Sequence, residues 1–271
     1  MDHYLKLEYI ASTILLIIGL RRLSSPSTAA RGNIIAAVGM GLAIFTAMFE
    51  EIPGDNGNYI IIIIALAIGS VIGLVVAKKV EMTAIPEMVS LFNGFGGACA
   101  VAIAFVEMGK FTQKSPTGVV ATTYSALFIG AVAFTGSVIA YGKLAGKVKD
   151  WRSGISSYFN IIWLALCLGS IFLEISNVGQ FDYLPYAILG LSLIYGITFV
   201  LPIGGADMPV VISLLNAITG VAAALAGIVY GNMVMLLGGI LVGSSGTILT
   251  ILMCQAMNRS LLNVLIGGFG G

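Results

Sequence analysis

The chain has 271 residues, of which 58% are hydrophobic and only 9% charged, with a formal net charge of +1; soluble globular domains carry about 25% charged residues. That balance excludes a water-soluble globular fold, and the near-neutral charge argues against a nucleic-acid partner. Cys99, Cys167 and Cys254 each stand alone in an apolar run, so they suggest neither a disulfide framework nor a zinc site and read as packing residues.

A bilayer core of about 30 Å asks for about 20 apolar residues per helix. Nine runs fit, at about 5–20, 33–49, 58–77, 84–107, 118–141, 157–175, 183–201, 208–230 and 233–254, whereas barrel strands would be about half as long. The first run reads as a retained helix, because Arg21 and Arg22 follow it and no small-residue cleavage pattern ends it. One set of connections holds Arg21, Arg22, Arg31, Lys78, Lys79, Lys143, Lys147, Lys149, Arg152 and Arg259, and the other only Lys6, Lys110 and Lys114. The excess of cations marks the cytosolic side. The expected fold is therefore an all-α polytopic membrane bundle of nine transmembrane helices, N-terminus outside and C-terminus cytosolic.

The fourth run opens on PEMVSLFNGFGG at 86–97 and the eighth on PVVISLLNAITG at 209–220, sharing the pattern P-x-x-x-S-L-x-N-x-x-x-G. Gly73 and Gly196 precede the two prolines at equal distance, and the following runs carry Thr135-Gly136-Ser137 and Ser244-Ser245-Gly246. Apolar composition alone can produce matching glycines and leucines, but a Pro, Ser and Asn in fixed register suggest a parallel three-helix repeat, runs 3-4-5 and 7-8-9. Helical periodicity puts Ser90, Asn93 and Gly97 on one face, and likewise Ser213, Asn216 and Gly220. At 1.5 Å per residue each Asn lies about 10 Å from its Pro, toward the middle of the bilayer. There an amide needs partners from another helix or from water. Two uses remain open: bonding helices together, or lining a hydrated polar path.

The titratable residues limit what such a path can carry. Asp207 and Glu87 fall near helix starts, Glu107 and Glu174 near the opposite ends, and the single histidine, His3, is at the terminus. A proton could move along water held by Asn93, Asn216, Ser244 and Ser245, but a carrier titrating near neutral pH would have to come from another chain, histidine being the natural one. A metal path is weaker, because hard cations want several carboxylate or carbonyl oxygens, and no metal site is expected. Asp207, behind Gly204 and Gly205, either caps the eighth helix or is presented to a cytosolic partner by a loop that glycine lets bend. The string Gly94-Phe95-Gly96 leads to Cys99 inside an apolar run, with no preceding strand, so no dinucleotide fingerprint is present.

With GGADMPVVISLLNA, VGSSGTILT, MCQAMNRS and MTAIPEMVSLFNG, the chain resembles, over nearly its whole length, the membrane part of the β subunit of proton-translocating nicotinamide nucleotide transhydrogenases. The resemblance implies a membrane module that conducts protons in coupling to hydride transfer between NADH and NADP. NAD(H) would bind an α subunit and NADP(H) a soluble β domain beyond this chain. It also implies a membrane domain over 1–260, a linker beginning at 261–271, an α partner supplying a membrane histidine, a dimer of αβ units, and location in a bacterial cytoplasmic membrane. Carried over residue by residue, it places Asn93, Asn216, Ser244, Ser245 and Gly246 along the proton path and gives Asp207 the coupling role. Ser90, Ser213, Thr135 and Ser137 are further candidates. Where this chain has Asn93 some members have histidine, and many have lysine where Gln255 stands here. A stand-alone transporter for a small solute, using the repeat interface as its site, is the alternative reading.

Overall fold

A computed structural model describes residues 2–23, 25–49, 57–149, 151, 156–176, 178, 181–258 and 260–261. Arg152, Arg259 and the expected linker from 262 onward lie outside the described residues, as does the side chain of His3. Among the described residues the secondary structure is helical throughout. The helices are α1 (Asp2–Leu23), α2 (Ala29–Ala47), α3 (Gly57–Lys79), α4 (Ile85–Met108), α5 (Thr117–Leu144), α6 (Ser156–Ser176), α7 (Leu184–Val200), α8 (Met208–Tyr230) and α9 (Met233–Ala256). Each apolar run expected from the sequence corresponds to one of them, with ends shifted by about a turn at most, the usual uncertainty of helix boundaries.

Seven of these helices are long and apolar enough to cross a membrane, against the nine expected. The two exceptions have separate causes. Helix α7 has only 17 residues, about 25 Å at 1.5 Å per residue. Helix α1 has 22, but Asp2, Lys6, Glu8, Arg21 and Arg22 dilute its apolar stretch.

The chain divides into two compact units, Met1–Met82 and Thr83–Gly271. In the first, α1 packs on α2 at glycines that let the backbones approach. A Cβ on Gly39 would lie 3.0 Å from the Leu15 Cβ. The Ser12 hydroxyl donates to the Gly39 carbonyl at 2.7 Å, and Thr46 donates to the Glu8 carboxylate at 3.0 Å. Helix α3 is exposed along its length.

In the second unit α5 is central, packing against α4, α7 and α8, while α8 also touches α4 and α9, and α6 packs on α7. Pro86 and Pro209 occupy the first turns of α4 and α8, where a missing N–H costs nothing. Helix α8 ends on Gly231 at φ +70°, the left-handed conformation that glycine adopts without strain. Asn232 then caps α9 by accepting from the Met235 amide at 3.0 Å. Two apolar clusters hold the unit. One, with Ala140, Val200, Ile203, Met208, Val211 and Cys254, lies where α5, α7 and α9 end and α8 begins. The other, with Ala104, Tyr124, Leu127, Ile171 and Ile188, lies toward the opposite end.

Candidate functional site

Ser90, Asn93, Gly97, Ala100 and Ala104 are all buried, and their spacing of three or four residues makes one stripe on α4. The stripe faces α5. Ser90 Oγ donates to the Ser137 carbonyl at 2.8 Å. A Cβ on Gly97 would lie 2.5 Å from the Gly130 carbonyl oxygen, and one on Gly130 would lie 2.8 Å from that of Gly97. Only paired glycines allow such an approach.

The same contacts recur between α8 and α9 in the register set by the sequence repeat. Ser213, the counterpart of Ser90, bonds through Oγ to the Gly246 carbonyl at 3.4 Å, and Gly246 is the counterpart of Ser137. Gly220 answers to Gly97 and Gly239 to Gly130. A Cβ on Gly220 would lie 3.0 Å from the Gly239 oxygen, and one on Gly239 would lie 2.7 Å from that of Gly220. Thr250 strengthens this second crossing by donating to Ser213 Oγ at 3.0 Å and to the Gly246 carbonyl at 2.7 Å. The repeated residues thus serve the same helix crossing twice.

Helix α8 joins the two pairs. Thr219 Oγ1 donates to the Asn93 carbonyl at 3.3 Å, and its methyl would meet a Cβ on Gly96 at 2.8 Å. Asn93 itself is 9% exposed, and its Nδ2 has no hydrogen-bond partner among the described residues. Neither has the buried Ser137 Oγ. Gly94, next to Asn93 in the chain, lies close to Ser137, because a Cβ on it would stand 3.3 Å from the Ser137 Cβ. Buried polar groups without a hydrogen-bond partner are rare in folded proteins. Asn216 is half-buried, one turn before Thr219 on α8.

Other candidates sit elsewhere. Thr135 faces α7, donating to the Leu193 carbonyl at 2.9 Å and to Ala131 of its own helix. Ser244 and Ser245 are exposed, their hydroxyls bonded to carbonyls of α9 itself, whereas Gly246 is buried against Ala217. Asp207 ends a tight turn, Gly205–Asp207, and stands at the N-cap position of α8, but its side chain makes no capping hydrogen bond. Its backbone is already near-helical, at φ −92° and ψ −1°, which carries the carboxylate away from the free amides that an extended N-cap would reach. The capping reading is thereby corrected. So is the role given to glycine in this loop: Gly204 is extended, at φ −72° and ψ 155°, a conformation open to any residue.

Three residues are placed differently from their expected settings. Lys143, assigned to a connection, lies in the last turn of α5, is 8% exposed, and donates at 2.6 Å to the carbonyls of both Leu201 and Ile203. Glu174 lies near the end of α6 as expected, but it is 2% exposed and sits beside Tyr124. Cys99 is exposed while Cys167 and Cys254 are buried, so packing accounts for two of the three cysteines. At the end of α4, Glu107 pairs with Lys110 at 2.5 Å, and that hydrogen bond raises the lysine pKa above its ordinary 10.5.

A half-open groove of about 300 Å³ is lined by Phe128, Val132, Leu164, Tyr195, Leu214 and Thr247, among others. Its walls are overwhelmingly apolar, which does not suit a polar solute, and neither asparagine reaches it.

A family model described as NAD(P) transhydrogenase beta subunit matches residues 5–271. The chain is also similar to two sequences from Rhodospirillum rubrum described as NAD(P) transhydrogenase subunit beta, each 39% identical over 281 residues. The match covers 100% of this chain and 59% of the relatives' length.

Proposed function

The chain belongs to the NAD(P) transhydrogenase beta subunit family, and from that premise we propose that it is the membrane module through which protons cross in coupling to hydride transfer between NADH and NADP. The enzyme's chemistry needs two nicotinamides held in contact. The described residues of this chain are helical, and the reading assigns both dinucleotides to other domains. NADP(H) belongs on a soluble β domain after a linker that begins at 261–271, following a membrane domain over 1–260, and NAD(H) on the α subunit. The relatives' greater length is in keeping with such a domain.

The observation that carries the reading is the pair of buried, unsatisfied groups, Asn93 Nδ2 and Ser137 Oγ, where α4, α5 and α8 meet. Buried amides and hydroxyls without protein partners are places where water is held, and a water so held can pass a proton from neighbour to neighbour. Ser90, Thr219 and Asn216 extend the polar junction along α4 and α8. The matching junction at Ser213 and Gly246 extends it toward α9, where Ser244 and Ser245 face outward to an α-subunit helix. Neither asparagine nor serine titrates near neutral pH, so the carrier that binds and releases the proton is a histidine of that α helix. Asp207, half-buried on its loop and making no capping hydrogen bond, signals proton occupancy to the NADP(H) domain. The same reading takes nine helices across a bacterial cytoplasmic membrane, N-terminus outside and C-terminus cytosolic, in a dimer of αβ units.

The test uses the full-length enzyme with its α subunit in sealed vesicles. Asn93→Leu keeps the branched shape and removes the amide. Proton uptake during hydride transfer should fall about tenfold or more, equivalent to a barrier raised by at least about 1.4 kcal/mol, with assembly intact. Uptake at the wild-type rate would remove Asn93 from the path.

A further inference from the structure

We infer that Lys143 is a positioning residue for the coupling loop, clamping the segment that presents Asp207 onto the end of α5; the inference rests on the coupling role proposed for that loop. Buried lysines are rare, because an ammonium gives up its hydration on leaving water. The neighbouring Lys147 and Lys149 stay exposed, whereas Lys143 is 8% exposed. Its ammonium is repaid by two short charge-assisted hydrogen bonds, at 2.6 Å each, to the Leu201 and Ile203 carbonyls. Leu201 is the C-cap of α7, where free carbonyls and the negative end of the helix dipole favour a cation. Ile203 is already in the loop, four residues before Asp207.

The clamp fixes the loop from one side while apolar burial fixes it from both. Ile203 is 2% exposed and Met208 fully buried, and both belong to the cluster that includes Ala140, one turn before Lys143. Between these anchors only a short segment emerges, with Gly205 and Ala206 exposed and Asp207 half-buried. A loop held this way keeps Asp207 in one place relative to α5.

Helix α5 also touches the proposed proton path. Ser137, whose carbonyl accepts from Ser90, lies about 9 Å along the same helix from Lys143. Thr135 ties α5 to α7 by its bond to Leu193. A displacement of α5 caused by a change in hydration or protonation beside Asn93 therefore reaches the loop through Lys143. Without the lysine, α5 and the loop would lose both of these bonds and depend more on apolar side chains, which slide past one another at little cost.

The experiment counts protons moved per hydride transferred by the full-length enzyme with its α subunit, reconstituted in vesicles. It compares wild type, Lys143→Met, Lys143→Arg and Asp207→Asn. Lys143→Met should lower the ratio about tenfold, the factor lost with one charge-assisted hydrogen bond to a buried carbonyl. Lys143→Arg, which keeps charge and donors, should retain more than about half of the wild-type ratio. A role confined to stability would reduce the yield of assembled enzyme and leave the ratio per assembled enzyme unchanged, and that outcome overturns the inference. Should Lys143→Met fail to assemble, Lys143→Gln, which keeps an amide donor, should give an intermediate ratio; a wild-type ratio there overturns the inference equally. Asp207→Asn separates the two ideas. Lost coupling in Asp207→Asn beside normal coupling in Lys143→Met removes only the clamp, whereas normal coupling in both removes the coupling role of the loop itself.

Discussion

At the residue scale, the polar side chains of the second unit divide into those that bond helices together and those that serve the proposed proton coupling. Ser90 is of the first kind. Ser90→Ala removes one buried hydrogen bond to a carbonyl of α5 and should lower stability by about 1 kcal/mol, read as a lower melting temperature of the detergent-solubilised chain. Asp207 is of the second kind. Asp207→Asn alters no capping bond, since none exists, so assembly should be unchanged while coupled hydride transfer and proton pumping both fall; near-normal rates for both would return Asp207 to an ordinary loop residue. The Lys110–Glu107 pair gives a negative control for pH. A lysine pKa raised above 10.5 in the folded chain contributes stability that is present below the unfolded value and is lost only as pH rises through the folded one. Between neutral and mildly alkaline pH the pair should therefore leave the melting temperature unchanged, and Lys110→Gln should not alter the pH dependence measured there.

At the scale of elements, close helix crossings are set by glycines that add no volume. Gly97→Ala would press a methyl group onto the Gly130 carbonyl, and Gly220→Ala would do the same at Gly239. Overpacking of this kind typically costs about 1–3 kcal/mol, more than the roughly 1 kcal/mol that alanine gains over glycine in helix propensity. Both variants should melt lower than wild type. Gly169, with open space around it on α6, is the control, and Gly169→Ala should melt no lower than wild type. These crossings were legible in the sequence because Ser, Asn and Gly repeat at fixed spacing, and spacing is what a helix converts into a face. Lys143 and Glu174 were not legible. Both lie near helix ends, where a lysine or glutamate usually reaches water, and only the fold of the α7–α8 loop and the packing of α6 decide otherwise. On α9 adjacent residues point about 100° apart, so Gly246 meets α8 while Ser244 and Ser245 stay on the outer face.

At the scale of the whole molecule, composition and run length led directly to a helical membrane protein, because lipid admits only helices and closed barrels and the apolar runs have the length of helices, about twice that of barrel strands. The chain covers 59% of the length of its Rhodospirillum rubrum relatives, so activity has to be measured on the complete enzyme. Hydride transfer outside the membrane and proton movement through this module are proposed to be one process. This is tested by following the internal pH of vesicles containing the reconstituted enzyme, with a trapped indicator, while hydride transfer is driven first toward NADPH and then in reverse. A proton displacement should accompany transfer in each direction and change sign when the direction is reversed. Hydride transfer at full rate with no change of internal pH would contradict this.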